Sequence, residues 1–297
     1  LGPMSFQVPN GVVDILVKDE EEAVDAAKKY LSYFQGPINE WEANDQRKLR
    51  HIVPENRMRL YDMREIIETI ADIGSVLEIR EKFGVGVITS FIRVEGKPMG
   101  VIANNPHHIA GAIDSDGADK GARFIQLCDA FDIPILSLMD CPGMMVGPDV
   151  ESTALVRHCV RMFNAGANVT TPMFLNVVRK AYGLGVQAMC GASSFQGFFT
   201  VAWPTAEFAG MAIEGAVKLG YRKELEAIED SEERLAEYQR RVDSAYNNAK
   251  AVNASAGYGI DDVIDPADTR SWIVMGLNSI PPTPVRTEKK YPYIDTW

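Results

Sequence analysis

The sequence predicts a layered α/β fold with a mostly parallel sheet. Strand-like and helix-like stretches alternate from residue 84 to residue 178. Strand candidates such as IPILSLMD (133–140) and 173–178 are too continuously apolar to have a solvent face, as strands of a covered parallel sheet are. At 297 residues the chain can bury a full core, as one large domain or one and a half.

Leu1-Gly2-Pro3-Met4 reads as a protease-cleavage scar ahead of a start. Residues 11–17 (GVVDILV) are a short apolar strand candidate. Residues 19–34 place acidic residues early, lysines late and apolar residues at helical spacing, the pattern of an amphipathic helix. Residues 36–55 are polar, hold two prolines and show no period, so they read as a linker. The compact part begins near Leu60. Asp62 is placed to cap a helix over 63–72, with Ile66, Ile67 and Ile70 facing inward. GVGVITSFIRV (84–94) and MGVIANNP (99–106) flank Glu95-Gly96-Lys97-Pro98 and read as a hairpin. A helix over 114–127, the strand 133–140, a turn at Cys141-Pro142-Gly143, a helix over 150–165 and the strand 173–178 follow. Residues 206–219 carry Ala, Gly and Met at helical spacing. Residues 222–252 interleave Glu and Arg, predicting a long solvated helix or helix pair. Residues 257–265 give a turn, 266–276 a last helix, and the Pro-rich tail from Pro281 is extended.

Apolar residues make up 46% and charged residues 24%, an ordinary globular balance. A formal net charge of −11 excludes a nucleic-acid partner, since nothing would neutralise phosphates. The basic clusters at 47–50, 222–223 and 240–241 are too small to reverse that, though they could receive a phosphorylated cofactor. Cys128, Cys141, Cys159 and Cys190 are scattered without a C-x-x-C pair, which fits reduced thiols in a cytoplasmic protein and no metal site. No apolar run reaches the roughly 18 residues of a membrane span.

The stretch PMFLNVVRKAYGLGVQAMCG (172–191) is the strongest site candidate. A buried strand runs into Gly183 and Gly185, which open a helical segment over 186–190. A strand, a glycine turn and a helix start leave backbone N–H groups pointing into one space that favours negative charge. Such a pocket can hold a developing oxyanion. The alternative is a tight strand-to-helix turn with no ligand. Of the other polar residues, His107 and His108 read as loop histidines and His158 as structural. Trp203 and Pro204 read as core, Glu207 as a structural hydrogen-bonding residue, and Cys141 lacks a nearby histidine to activate it.

Three blocks carry a family resemblance: DSDGADKGARFIQLCDAFDIPILSLMDCPG (114–143), RKAYG (179–183) and AWPTAEFAGMAIEGAV (202–217). In this order they resemble the C-terminal half of the β-type carboxyltransferase subunits of acyl-CoA carboxylases, such as propionyl-CoA carboxylase. The similarity spans roughly 50–280, and residues 11–35 resemble the end of the family's N-terminal half. The resemblance implies a crotonase-like ββα spiral with peripheral helices. It divides the chain into the end of an N-terminal half and a linker (5–50), a C-terminal carboxyltransferase domain (51–280) and a tail (281–297). The chain is then a piece of a longer subunit or one partner of a split pair.

The implied reaction moves a carboxyl group between carboxybiotin, carried on a carrier protein, and the α-carbon of an acyl-CoA, through an enolate. Carried over from the family, the backbone N–H groups of Leu184 and Gly185 form the biotin-side oxyanion hole, and Gly143, Met144, Gly183 and Gln187 line the substrate and biotin pocket. Two departures stand out. The family usually continues RKAYG with Gly-Ala-Tyr-Asp, where this chain has Leu184-Gly185-Val186-Gln187, and the family's Pro-Gly-Phe is here Pro142-Gly143-Met144. The implied partners are an N-terminal carboxyltransferase half, a biotin carboxylase and a biotin carrier protein, in a homo- or hetero-oligomer joined through a helix over 206–219. A Gly210→Glu change is expected to abolish oligomers. Two other readings share the fold: a biotin-independent acyl-CoA decarboxylase, favoured by bulky Leu184, and a non-catalytic structural subunit.

Overall fold

The computed structural model describes every residue except Leu1, Ser194, Gln196, Pro284, Pro292 and Trp297. The expected scar at 1–4 and the expected tail at 281–297 therefore fall partly outside the described residues.

The N-terminal region lays two helices, α1 (Met4–Gln7) and α2 (Glu20–Ser32), before the sheet. Asp19 caps α2 by accepting from the Glu22 N–H at 2.9 Å. Residues 11–17 form no strand. Asp14 interrupts that apolar run and holds it to the connection after β1: its carbonyl accepts from Arg80 N–H and its carboxylate from Arg80 Nε, both at 2.8 Å. Val12 and Leu16 stay exposed. Within 36–55 a short helix, α3 (Leu49–Ile52), buries Leu49 against the core. This stretch is packed rather than free. The helix α4 (Met63–Ile70) forms as the pattern predicts, with Asp62 accepting from Arg64 N–H at 2.9 Å and Ile66, Ile67 and Ile70 buried.

The remaining elements are β1 (Leu77–Glu78), β2 (Val87–Val94), β3 (Lys97–Asn104), α5 (Ser115–Ala130), β4 (Ile135–Cys141), α6 (Pro148–Glu151), α7 (Leu155–Asn168), β5 (Met173–Tyr182), α8 (Gly183–Met189), β6 (Phe199–Ala202), β7 (Glu207–Ala209), α9 (Ile213–Gly220), α10 (Arg222–Glu226), α11 (Ser231–Ala249), α12 (Ala251–Tyr258), β8 (Asp262–Val263) and α13 (Thr269–Ser279). The sheet order is β1-β2-β3-β4-β5-β6-β8, with β7 beside the end of β5. The first two pairings are antiparallel and the rest parallel. From β3 to β6 spatial order follows chain order, and each parallel step crosses over through helix: α5, then α6 and α7, then α8. β2 and β4 are buried along their whole length, which is why their sequences are apolar on consecutive positions. One core layer holds α5, α7 and α8; the other holds α4 and α13, with Trp203 buried and its Nε1 donating to Thr269 Oγ1 at 2.9 Å.

Three further expectations need correction. The strand expected at 173–178 runs on to Tyr182, because the charges of Arg179 and Lys180 are met inside the fold. Arg179 donates to the Arg59 and Asn56 carbonyls at 2.9 and 3.1 Å, and Lys180 Nζ to the Ala110 carbonyl at 2.8 Å. The helix expected at 150–165 is broken into α6 and α7 by Ala154, which sits at φ 59°. The helix expected at 206–219 starts only at Ile213. Glu207–Ala209 pair with Lys180–Tyr182 instead, since the longer β5 offers them a strand edge.

Candidate active site at the end of the central strand

Gly183, Leu184, Gly185 and Gln187 lie where β5 runs into α8, while Gly143 and Met144 lie in the turn that follows β4. The backbone turns at Gly183, whose φ of +58° is a conformation that side chains resist. Tyr182, at the N-cap, provides no side-chain cap. The first N–H groups of a helix have no intrahelical acceptor, so the donors at Leu184 and Gly185 stay available. Leu184 projects outward, 62% exposed, while Gly185 is buried.

Gly185 is there because nothing larger fits. A Cβ on it would sit 2.6 Å from the Gly143 carbonyl carbon and 2.7 Å from Cys141 Sγ. That contact clamps the Cys141-Pro142-Gly143 turn onto the start of α8. The turn is fixed from its other side, where the Gly143 carbonyl accepts from Ile113 N–H at 3.1 Å and Met144 bridges to Ile113.

Gly183, Leu184 and Gln187 line a cavity of about 300 Å³, closed by Phe195, Gly210 and Tyr258. The structure thus brings Gly183, Leu184 and Gln187 together at one opening and Gly143 against Gly185. Gly143 and Met144 lie on the opposite flank of α8, outside the residues that line this cavity. Gly210 belongs to the wall: its carbonyl lies 2.9 Å from where a Gly183 Cβ would be.

Behind this corner sits Asp140, which sequence reading passed over. It is fully buried at the irregular β4 register between Met139 and Cys141. Its carboxylate accepts from Tyr61 OH at 2.9 Å and Lys180 N–H at 3.1 Å, and lies 3.2 Å from Lys180 Nζ. Its own N–H donates to Asn104 Oδ1 at 3.2 Å. Through its carboxylate and its N–H together, Asp140 therefore ties the ends of β3, β4 and β5 and the Tyr61 segment. An Asp closing an otherwise apolar strand, at the C-terminal end of a parallel sheet, was the available signal. Phe195 and Tyr258 left none, since only tertiary folding brings them to the cavity.

The other candidates have other duties. Glu207 accepts from Tyr182 OH at 2.7 Å, and burial followed by that carboxylate pushes the phenol far up. Burial pushes the Cys141 thiol up to about 12, which leaves it a poor nucleophile near neutrality. His108 Nε2 lies 3.2 Å from Asp114, the α5 cap, and His158 Nδ1 lies 2.7 Å from Asp119. Neither lines the cavity, and nor does His107. Among the described residues, no group of three or more His, Cys, Asp or Glu side chains could hold a metal ion. No helix of the described residues is long and apolar enough to cross a membrane.

Residues 1–291 match the carboxyl transferase domain family. The methylmalonyl-CoA carboxyltransferase 12S subunit of Propionibacterium freudenreichii subsp. shermanii is 36% identical over 294 residues, covering 93% of this chain and 54% of that one. Among solved structures, a single-chain, multi-domain long-chain acyl-CoA carboxylase superposes with a TM-score of 0.86 at 50% identity, over 93% of this chain and 27% of that one. The transcarboxylase 12S hexamer with methylmalonyl-CoA and methylmalonic acid bound gives 0.82 at 32% identity, over 97% and 57%. The chain spans about half the length of the curated relatives it matches, as the 54% coverage illustrates.

Proposed function

Since the chain belongs to the carboxyl transferase domain family, we propose that it is the C-terminal half of a biotin-dependent acyl-CoA carboxyltransferase. The feature that supports this reading is the start of α8, whose first N–H groups have no intrahelical acceptor and whose Leu184 lines a cavity together with Val186, Phe195 and Tyr258. Apolar walls with a few convergent donors suit a small bicyclic ring such as the ureido head of biotin. Carboxyl transfer leaves negative charge on the ureido oxygen as the carboxyl departs. The N–H groups of Leu184 and Gly185 would meet that charge, being pre-oriented and untitratable. The enolate side belongs to the other half of the subunit, and carboxybiotin arrives on a carrier protein charged by a biotin carboxylase. In this reading residues 5–50 complete the N-terminal half, 51–280 form the transferase domain, and 281–297 trail over its surface.

Assembly into an oligomer is part of the same proposal, supported by the hexamer of the 12S relative. Gly210, at the cavity wall rather than on a helix, no longer serves as the place to disrupt it. A cytoplasmic setting is supported by four free, buried cysteines. A second reading, decarboxylation of an acyl-CoA without biotin, is favoured by one feature: the exposed Leu184 side chain stands at the cavity where a glycine would leave room.

The test is loss of the carboxyl group from malonyl-CoA, methylmalonyl-CoA and an α-carboxylated long-chain acyl-CoA, in the presence of the other half of a family subunit, with and without free biotin. The long-chain substrate is included because of the likeness to a long-chain acyl-CoA carboxylase. Loss that requires biotin is expected. Loss without biotin selects the decarboxylase, and no loss on any of the three selects a structural subunit.

A further inference from the structure

A second cluster lies away from the α8 cavity, on α5 and the connection that follows β1. Lys120 is 2% exposed, yet its Nζ has no hydrogen-bond partner among the described residues. Two more buried donors near it are equally unmet: Arg80 Nη1 and Arg123 Nε. Lys120 and Arg123 are one turn apart on α5, and Arg80 interacts electrostatically with both.

The carboxylates of this region are already committed. Glu78 is gripped by Arg64 through two bonds of 2.8 and 2.7 Å. Asp14 accepts from Arg80 Nε at 2.8 Å, with Arg123 Nη1 at 3.8 Å from the same oxygen. Glu81 pairs with its neighbour Lys82. Arg64, Arg80, Lys120 and Arg123 thus share Asp14 and Glu78, and Lys120 bonds to neither. Burial pushes the Lys120 ammonium down to about 8; Arg64 and Arg80 add to this and Glu78 opposes it. An unpaired buried ammonium beside two guanidinium groups with idle donors is costly unless an acceptor joins them.

We infer that Lys120, Arg80 and Arg123 form a site for a small oxyanion of the phosphate or bicarbonate class. Such an anion offers acceptors on several sides, and its charge offsets the local cation excess. The Asp14 and Arg123 side chains, 42% and 24% exposed, border the cluster on one side, and the Thr296 carbonyl accepts from Arg80 Nη2 at 3.3 Å. The three donor atoms are buried, so an entering anion displaces side chains at this border. The site is independent of the carboxyl-transfer reading and does not stand or fall with it.

The experiment is calorimetric titration and thermal unfolding of the chain with inorganic phosphate and, separately, bicarbonate, each against sodium chloride at matched ionic strength. A saturable rise in Tm with either oxyanion is expected, above the chloride control. Lys120→Met should weaken that binding by about tenfold or more, the loss of one charge-assisted hydrogen bond. In chloride alone the same variant should be no less stable than the parent, because it removes an unpaired buried charge. Arg123→Gln, at a partly exposed position, makes the same comparison should the first variant fold poorly. A rise matched by chloride, or one that both variants retain, marks an adventitious ion only and overturns the inference.

Discussion

The corner where β4 meets α8 and the helical lobe of α9 to α12 handle charge in opposite ways. At the corner a single buried carboxylate, Asp140, has Tyr61, Lys180 and the β5 backbone as partners, and Gly185 is wedged against Gly143 and Cys141. In the lobe, α11 runs for 19 residues and buries only Val242 and Ala249. Its charges pair along its own surface, as when Glu237 takes both Arg240 and Arg241. Buried charge bound to several strands fixes geometry, whereas solvated pairs on one helix leave it nearly free. A site that must hold two N–H groups in place needs the first kind of construction.

The contrast can be broken at either end. Asp140→Ala should lower unfolding stability by about 3–5 kcal/mol, because Tyr61 and Lys180 lose a buried partner. Chemical denaturation reads this directly, and a loss below about 1 kcal/mol would mean the corner is not held by that carboxylate. The Lys120 charge should appear in the pH dependence. Its folded value of about 8 lies below the ordinary 10.5, so the unfolded chain binds more protons between these values and stability rises with pH across that window. The rise should reach up to about 3 kcal/mol in anion-free buffer and be missing from Lys120→Met. A parent and variant with parallel profiles would contradict the buried, unpaired charge. Gly185→Ala should cost about 1–3 kcal/mol by overpacking against backbone that has little room to yield. An unchanged urea midpoint would show that the Gly143 turn moves aside. At the other extreme, Glu237→Gln breaks two pairs confined to the surface of one helix, and its denaturation midpoint should stay close to that of the parent.

The same contrast decides what the sequence made legible. Buried helices and strands announced themselves: α4 by Ile66, Ile67 and Ile70, the β2–β3 hairpin by its Glu95-Gly96 turn, and β4 by its mostly apolar run. The wedge at Gly143 and Gly185 was visible only as two separate glycines at turns, since close approach is a tertiary fact. Strand pairing overrode local pattern at 206–219, where Ala, Gly and Met spacing suggested helix but the extended end of β5 recruited Glu207–Ala209. Residues 11–17 failed in the opposite sense, having strand composition with no edge to join. Asp140 escaped notice because its importance lies in its partners Tyr61, Asn104 and Lys180, which come from three separate stretches of chain.

The central claim is that the Leu184 N–H steadies charge on biotin, and one atom can be removed to test it. Replacing Leu184 by its α-hydroxy analogue converts the Gly183–Leu184 peptide bond to an ester, deleting that donor while keeping the side chain. Biotin-dependent carboxyl transfer, measured with the other half of the subunit present, should fall by about 10²–10³. Stability should hardly change, because that N–H lies in the first turn of α8 and has no intrahelical acceptor. Undiminished transfer by the ester variant would contradict the claim and place the oxyanion contact elsewhere.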